Sequence, residues 1–263
     1  MNRIAVVTGG SSGIGLCTAR ALRDAGCTVY ELSRRESTEN GIIHIRADVT
    51  DEESVKNAVN EIQDTAGRID ILVNNAGFGI SGAAEFTDPS DARTQMDVNL
   101  FGMDTVTRAV IPVMRKNGGG RIICISSIAA IVPIPFQLWY SVSKAAINAY
   151  VSAISGEVRP FGITVCAVMP GDIKTGFTGA RRKAAVGDDI YCGRIERSVA
   201  VMEHDEQNGM KPETAAAVIR RVALKRRVKP FYCIGIQYKA VAFLVRILPC
   251  GLVNRLVGMI YAK

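Results

Sequence analysis

The chain opens with Ile4-Ala-Val-Val-Thr8-Gly9-Gly10-Ser11-Ser12-Gly13-Ile14-Gly15, an apolar run that leads through a glycine-rich turn into a helical pattern. Glycines let the backbone turn tightly and approach a pyrophosphate, and a helix N-terminus offers free amides and partial positive charge. Because the turn follows a strand and precedes a helix, a dinucleotide site is favoured over a purely structural turn. The glycine spacing is Gly-x-x-x-Gly-x-Gly, not Gly-x-Gly-x-x-Gly.

Strand and helix patterns alternate along most of the chain. Apolar runs predict strands at Arg3–Val7, Thr28–Leu32, Ile42–Arg46, Ile71–Val73, Arg121–Ser126, Ile163–Val168 and Phe231–Ile234. Helical patterns predict helices at Ile14–Ala25, Glu52–Ala66, Arg93–Lys116, Tyr140–Arg159 and Pro212–Arg226. This order predicts an α/β fold with a doubly wound parallel sheet and helices on both faces. The ligand site of such a sheet lies beyond the carboxyl ends of its strands.

The length and composition predict one α/β domain over residues 1–263, of ordinary globular composition. Residues 172–209 lack strong periodicity and predict a mobile substrate lid. Residues 229–263 form a basic C-terminal extension with a helical pattern. From residue 211 onward there are eleven Lys or Arg and one acid, whereas the whole chain has a net charge of +7. We interpret this surplus as a solvated face with some dimer contacts; a membrane-surface or anionic-ligand role, with Phe243–Pro249 as a short amphipathic segment, is the alternative, and nucleic-acid binding is disfavoured.

Cysteine and histidine usage limits the possible chemistry. The seven cysteines form no Cys-x-x-Cys pair and predict reduced thiols in a cytoplasmic protein. The two histidines lie near no candidate nucleophile or ligand cluster, so a histidine-based triad and a metal site are not expected. No signal peptide is expected before the first strand.

Tyr140 and Lys144 are four residues apart in Tyr140-Ser-Val-Ser-Lys144, a spacing that no other tyrosine of the chain has to a lysine. On a helix the two side chains share a face, so the ammonium favours the ionised phenol. A phenol with an ordinary pKa of about 10 would then exchange protons closer to neutral pH. An ordinary exposed helix contact is the alternative for the pair taken alone.

Several motifs occur together in one order and spacing: Gly9-x-x-x-Gly13-x-Gly15, Asn74-Asn75-Ala76-Gly77, Asn99, Ser127, Tyr140-x-x-x-Lys144 and Pro170-Gly171. In this combination the chain resembles the classical short-chain dehydrogenase/reductase family over residues 3 to 175. The resemblance implies a single-domain Rossmann fold with a seven-stranded sheet and a nicotinamide cofactor. It also implies hydride transfer between a secondary alcohol and a ketone. The tail is similar to those of hydroxysteroid and retinol dehydrogenase-like members.

The resemblance implies a role for each catalytic candidate. Tyr140 would act as the acid and base, Lys144 would stabilise its ionised form, and Ser127 would orient the substrate oxygen. Ser127 is chosen over Ser126 on the family spacing. Asn99 would anchor a water relay from Lys144 to solvent, and a helix-interior asparagine bonded to backbone is the alternative.

The cofactor candidates follow the strands. The loop residues expected at the phosphates are Gly9, Ser11, Ser12, Gly13, Ile14 and Gly15. In the family, an acidic residue at the end of the second strand binds the adenosine ribose, and the corresponding position here falls near Ser33. Arg34 and Arg35 come next, and basic residues there accept the 2′-phosphate of NADP(H). Glu31 lies on the same strand face as Ser33, so NAD(H) is the alternative.

Further cofactor contacts are implied at the adenine and at the nicotinamide. Asp48, with Val49 beside it, would meet the adenine; a helix N-cap near Thr50 or Asp51 is the alternative for Asp48. Small residues would let the backbone lie close to the cofactor at Asn75, Ala76 and Gly77, with asparagine side chains tying adjacent strands. The residues expected to hold the nicotinamide are Pro170, Gly171, Ile173 and Thr175.

The substrate is expected to be a lipophilic alcohol or ketone, because apolar residues follow the strands at Phe78, Gly79, Ile80, Ile128, Ile134, Phe136 and Trp139. A homodimer or homotetramer is implied, paired through the helices at Arg93–Lys116 and Tyr140–Arg159. A cofactor-binding regulator without turnover is the second hypothesis. That class is expected to lose Tyr140, Lys144 or Ser127, and all three are present.

Overall fold

Seven parallel strands form the central sheet of the structure, a computed structural model that describes residues 2–262. The nine strands of these residues are β1 Ile4–Thr8, β2 Thr28–Ser33, β3 Ile42–Arg46, β4 Ile71–Asn74, β5 Ile80–Ser81, β6 Gly120–Ile125, β7 Ile163–Met169, β8 Arg182–Lys183 and β9 Phe231–Cys233. The sheet order is β3-β2-β1-β4-β6-β7-β9, and β5 pairs separately with β8. The predicted seven-stranded Rossmann-like sheet is confirmed, with strand ends shifted by at most one residue.

Helices cover both faces of this sheet, as predicted. They are α1 Gly13–Asp24, α2 Glu52–Ala66, α3 Pro89–Met96, α4 Gly102–Lys116, α5 Leu138–Val158, α6 Phe177–Ala180, α7 Arg194–Gln207, α8 Pro212–Leu224, α9 Ile236–Ile247 and α10 Cys250–Tyr261. Apolar side chains of α2, α4 and α5 pack on one face, and those of α1 and α8 pack on the other. Along β1, Val6 faces the first core and Val7 faces the second. Burial on both sides explains the continuous apolar strands.

The single helix predicted over Arg93–Lys116 is wrong. α3 begins with Pro89 and ends at Met96, a π-helical turn occupies Asp97–Phe101, and α4 begins at Gly102. A Cβ on Gly102 would lie 2.7 Å from the Val49 side chain, so α4 starts in close contact with the loop after β3. Such π-helical turns often occur at functional sites, and this one carries Asn99.

The segment 172–209 contains regular structure that its weak periodicity did not predict. α6 has four residues and β8 has two, and both are too short to give a periodic pattern. α7 is longer, but only Ile195, Ser198 and Met202 of its fourteen residues are buried. A helix with so few core contacts has little apolar signal in its sequence.

Two helices of twelve residues each, α9 and α10, follow β9 and form most of the C-terminal extension. Leu248 and Pro249 connect them. Within residues 2–262, no helix combines the length and the apolar character that crossing a membrane requires.

Replacing Gly15 by alanine is expected to destabilise the fold. A Cβ on Gly15 would lie 2.2 Å from the Gly9 carbonyl oxygen and 2.5 Å from the Asn75 amide nitrogen, so α1 would have to move. We expect Gly15→Ala to lower the free energy of unfolding by about 1–3 kcal/mol, measured by urea denaturation. The control is Gly156→Ala on the exposed side of α5, where nothing lies within 4 Å; it should raise that free energy by about 1 kcal/mol. Equal stability of Gly15→Ala and wild type would contradict the close approach of α1.

Candidate active site

A cavity of about 710 Å³ lies at the carboxyl ends of β1, β2, β3, β4, β6 and β7. Except for Gly15, every predicted cofactor residue lines it, and so does Ser127. The residues chosen from strand ends and spacing therefore surround one space. Gly15 lies behind the loop instead, where the absence of a side chain lets α1 approach Gly9.

The glycine loop forms one end of the cavity. Gly9 has a φ of +62° and Gly13 a φ of +54°, backbone conformations that glycine adopts without strain. α1 begins at Gly13, its N-cap Ser12 makes no side-chain capping bond, and its first turn carries no acidic residue. Free amides and the positive end of the helix face the cavity there. The loop therefore fits the pyrophosphate of a dinucleotide.

Asn75 fastens the turn after β4 to the turn after β1. Its side-chain amide donates to the carbonyl oxygens of Thr8 at 3.0 Å and Gly9 at 3.1 Å. In return, the Thr8 hydroxyl accepts from the backbone amides of Asn75 at 2.9 Å and Ala76 at 3.0 Å. An asparagine tie between adjacent strands is thus present, as predicted.

Arg34, Arg35 and Asp48 lie together where β2 and β3 end. Arg34 is mostly exposed, with its guanidinium 3.9 Å from the Asp48 carboxylate. Although burial alone would raise the pKa of Asp48, hydrogen bonds from Thr50 and the charge of Arg34 hold it below the ordinary value. The N-cap of α2 is Asp51, which accepts from the amides of Glu53 and Ser54. The alternative that Asp48 caps this helix is therefore wrong.

Glu31 is fully buried and does not line the cavity. Its carboxylate contacts the ring nitrogen Nδ1 of His44 and accepts from the Ser33 hydroxyl at 3.1 Å. A Cβ on Gly10 would lie 2.7 Å from the Glu31 Cβ, so the carboxylate sits directly beneath the glycine loop. In this position Glu31 does not reach the ribose side of the cavity. Nothing in the sequence indicated that His44 would contact Glu31.

The opposite end of the cavity carries the reactive candidates. Ser127 follows β6; its hydroxyl accepts from the Ala129 backbone amide at 3.1 Å and lies close enough to Tyr140 to affect the pKa of that phenol. Lys144 lies one turn further along α5, donates to the Ile125 carbonyl at 2.8 Å, and sits 5.6 Å from the centre of the Tyr140 ring. Ser126 instead donates to the backbone carbonyl of Lys144 at 3.1 Å, which holds α5 in place. Of the two serines, Ser127 is the one beside Tyr140.

Burial dominates the proton affinities of this pair. It raises the pKa of Tyr140 to about 12, while the nearby Ser127 hydroxyl lowers it in part. The charges of Glu206 and Asp172 raise that pKa further, and Arg181 opposes them. Burial also lowers the pKa of Lys144 to about 8. The expectation that Lys144 brings the pKa of Tyr140 towards neutral is wrong for this structure.

Asn99 lies behind the cavity, in the π-helical turn. Its side-chain oxygen accepts from the Phe78 amide, and its side-chain nitrogen donates to the Phe78 carbonyl and the Ser143 hydroxyl, each at 3.0 Å. A Cβ on Gly77 would lie 3.0 Å from the Asn99 oxygen and 3.8 Å from the Lys144 nitrogen. A side chain at position 77 would therefore contact both Asn99 and Lys144.

The lid and the tail complete the cavity with residues that sequence reasoning missed. Asp172, Phe177, Met202, Glu206 and Tyr261 all line it. Of the expected apolar lining, Phe78, Ile128 and Ile134 do so. Gly79, Ile80 and Trp139 line neither this cavity nor the second one described below, so that part of the prediction is wrong. Their spacing after the strands did not distinguish lining from core.

Two acidic groups of this part of the cavity differ in their contacts. The Glu206 carboxylate accepts from Thr178 at 2.6 Å and pairs with Arg181, whose side chain is fully buried. Asp172 is contacted by the Tyr238 hydroxyl of α9. Burial raises the pKa of Asp172. The charge of Glu206 is thus compensated by Arg181, whereas Asp172 contacts an uncharged group, the hydroxyl of Tyr238.

A second cavity of about 360 Å³ adjoins the first, and both share Ile134. Its apolar walls come mainly from the loop before α5, from the first residue of α5 and from α10: Pro133, Ile134, Pro135, Phe136, Leu138 and Val257; the lining is completed by Gly82, Ala84, Tyr191 and Asn254. It lies between the loop before α5 and the C-terminal helix α10.

Comparison with known proteins defines the family. The short chain dehydrogenase model matches residues 3–185, so the chain belongs to the short-chain dehydrogenase/reductase family. A 3-ketodihydrosphingosine reductase of Bacteroides thetaiotaomicron is 41% identical over 232 residues, which cover 87% of this chain and 86% of that protein. The structure of a Streptomyces avermitilis short-chain dehydrogenase matches with a TM-score of 0.84, 30% identity, and coverage of 94% and 93%. A Burkholderia cenocepacia short-chain dehydrogenase solved with NADP matches with a TM-score of 0.78, 25% identity and 97% coverage of both chains.

The family assignment fixes the reaction class. The chain is an NAD(P)-dependent short-chain oxidoreductase, as predicted. Members of this family act on small molecules and often form oligomers.

Proposed function

We propose that the protein is an NADPH-dependent reductase of a long-chain amino ketone of the 3-keto sphingoid-base type. The observation that carries the reductase assignment is that Ser127, Tyr140 and the buried Lys144 lie together at the edge of a cavity that fits a dinucleotide. The similarity to a 3-ketodihydrosphingosine reductase supports the substrate class. A ketone and its secondary alcohol are interconverted at this site.

A nicotinamide bound in the cavity would supply the hydride in reduction. The Tyr140 hydroxyl then donates its proton to the ketone oxygen as the new C–H bond forms. Ser127 donates a hydrogen bond to the same oxygen and orients the carbonyl. The Lys144 ammonium stabilises the tyrosinate left behind and passes a proton back to it. In oxidation, Tyr140 takes the proton from the alcohol.

The preference for NADP(H) is proposed from the charges at the adenosine end. Arg34 and Arg35 line the cavity, and guanidinium groups bind phosphate through charge-assisted hydrogen bonds. Glu31, which would favour NAD(H) by binding ribose hydroxyls, is engaged by His44 and Ser33 instead. The NADP bound by the Burkholderia cenocepacia relative gives further support.

Asp172 supports an ammonium group on the substrate. It lines the cavity near Tyr140, and its charge raises the pKa of that tyrosine. The other cavity carboxylate, Glu206, is already paired with Arg181. A substrate ammonium beside the ketone would compensate the charge of Asp172 and would form a charge-assisted hydrogen bond.

The second cavity supports a long alkyl chain. It opens beside Ile134, which both cavities share, and its apolar walls continue to Val257 of α10. An alkyl chain placed there leaves water, which is favourable by roughly 0.8 kcal/mol for each buried CH₂. The headgroup would remain at Asp172 and Tyr140.

We further propose a cytoplasmic enzyme that assembles through the outer sides of α4 and α5. Seven cysteines without a disulfide support the first point. The exposure of Phe101 before α4, and of Val142 and Phe161 in and after α5, supports the second.

A regulator without turnover is less well supported, because Ser127, Tyr140 and Lys144 are present and adjacent.

The reduction rate is expected to fall above the pKa of Lys144. Below about pH 8 the lysine is protonated and returns a proton to Tyr140 after each turnover. Above that pH the ammonium is lost, while the phenol, with a pKa of about 12, stays protonated. We expect kcat/KM to be level below about pH 8 and to fall by about tenfold for each further pH unit. Tyr140→Phe should lose about 10²–10⁴-fold in turnover at every pH, with NADPH affinity unchanged. A profile that stays level to pH 10 in wild type, ~2 units above the lysine pKa, would rule out this role of Lys144.

The double substitution Arg34→Ala and Arg35→Ala is expected to reduce the preference for NADPH over NADH. Loss of the guanidinium contacts should reduce the ratio of NADPH to NADH efficiency by about 10- to 100-fold, measured as kcat/KM for each cofactor. Arg46→Ala is the matched control, because Arg46 ends β3, is exposed and lies outside the cavity. A wild-type enzyme that uses NADH equally well would refute the proposed preference.

Asp172→Asn is expected to weaken binding of the amino ketone alone. Removing the charge should raise KM for 3-ketodihydrosphingosine by about tenfold or more, and should leave KM for a long-chain ketone without the amine unchanged. Asp205→Asn is the control, since Asp205 bonds Tyr261 and lies outside the cavity lining. An equal rise of KM for both ketones would assign Asp172 a structural role instead.

A further inference from the structure

The C-terminal helix α9 presents an apolar face to solvent. Ile236 is 85% exposed, Phe243 is 63% and Ile247 is 61%, and Leu244 beside them is also exposed. These residues recur at helical spacing, so they form one stripe along α9. The opposite side of the helix, with Tyr238 and Val245, is the one that packs on the protein. An ordinary surface helix has the reverse arrangement.

Helix α10 repeats this arrangement. Val253 and Val257 are buried, whereas Leu252, Leu256 and Met259 are exposed at helical spacing. Eight of the fifteen large hydrophobic side chains that are exposed within residues 2–262 lie in these two helices of twelve residues. We call the exposed apolar side chains of α9 and α10 the C-terminal apolar face. Apolar surface concentrated in this way marks an interaction site.

The charged side chains of α9 and α10 are all cations. Lys239 and Arg246 lie along the edge of the α9 stripe, and Arg255 lies beside the α10 stripe. No acidic residue follows Glu213 in the sequence. In the described part of the chain, none of these three cations makes an ion pair. They are therefore available to an anionic partner.

We propose that the C-terminal apolar face docks on the surface of a membrane that contains anionic lipids. Apolar side chains would enter the boundary between headgroups and acyl chains, and the flanking cations would meet lipid phosphates. Each helix is about 18 Å long, too short to span a hydrocarbon core of about 30 Å, so both lie in the plane of the surface.

A second copy of the chain fits this face less well than a lipid surface does. A two-fold contact would bring the same patch of both copies together. Lys239, Arg246 and Arg255 of each copy would then meet like charges, with no carboxylate on the face to pair with them. Anionic lipid supplies the charge that is missing.

Docking would also bring the cavities close to the lipid. α10 contributes Tyr261 to the main cavity and Val257 to the second one. The helix that lies on the membrane therefore also forms a wall of the space proposed for the substrate. The docking itself does not depend on the proposed reaction, because it is measured without substrate.

The test is cosedimentation of the full chain with lipid vesicles. We expect binding to vesicles in which phosphatidylglycerol replaces about a quarter of the phosphatidylcholine, and about tenfold weaker binding to phosphatidylcholine alone. The double variant Phe243→Ser, Ile247→Ser and the double variant Lys239→Gln, Arg246→Gln should each bind about tenfold more weakly or worse. Ile43→Ser is the control, because Ile43 is an exposed residue of β3, at the other edge of the sheet from β9.

Folding of each variant is checked by thermal unfolding and by reduction of a water-soluble ketone, both of which should match wild type. Vesicle binding that is absent in wild type, or that is equal in all variants, overturns the proposal. A concentration-dependent dimer that the Phe243→Ser, Ile247→Ser variant abolishes, without vesicle binding, identifies a second copy as the occupant instead. Vesicle binding without turnover of the amino ketone would leave the docking intact and contradict the proposed substrate.

Discussion

The candidate site depends on the tie between Asn75 and the turn that follows β1. β1 and β4 are adjacent in the sheet, and their connections leave towards opposite faces, which opens a crevice between the two turns. The Asn75 amide spans this crevice at its base, where it meets the carbonyls of Thr8 and Gly9. With the crevice held at this width, the N-terminus of α1 and the end of β6 face the same space. The phosphate end and the reactive end of the cavity therefore have a fixed separation.

Burial sets the second constraint, because it disfavours the charged forms of both Tyr140 and Lys144. The same desolvation raises the pKa of Tyr140 and lowers that of Lys144. The two pKa values, which are ordinarily similar, thereby become well separated, so at neutral pH the phenol holds its proton and the lysine is close to its own titration. A protonated phenol suits a reductase, which must deliver a proton to a ketone oxygen. These pKa shifts fit the proposed role of Lys144 in restoring that proton better than a role in ionising the phenol in advance.

Much of this site was predictable from the sequence, and the part that was not has a physical explanation. The strands are buried on both faces and give continuous apolar runs, so their positions were predicted within one residue, and β3 and α2 at the same residues. Residues that directly follow strands were predicted to surround one cavity, and they do. The π-helical turn at Asn99 leaves no periodic signal, and α7 has too few buried residues to give one. Burial of Tyr140 depends on the lid, so the direction of its pKa shift could not be read from its spacing to Lys144.

Residues 172–209 reach Tyr140 through a short series of contacts. Glu206 of α7 pairs with Arg181, the Arg181 guanidinium lies 5.7 Å from the centre of the Phe177 ring, and that ring lies 5.6 Å from the ring of Tyr140. The ring of Phe177 excludes water from one side of Tyr140, and the charge of Glu206 disfavours its ionisation. Glu206 lies beyond the matched residues 3–185. Residues 172–209 therefore both line the cavity and contribute to the proton affinity of Tyr140, so a substitution there that changed the cavity would also change that affinity.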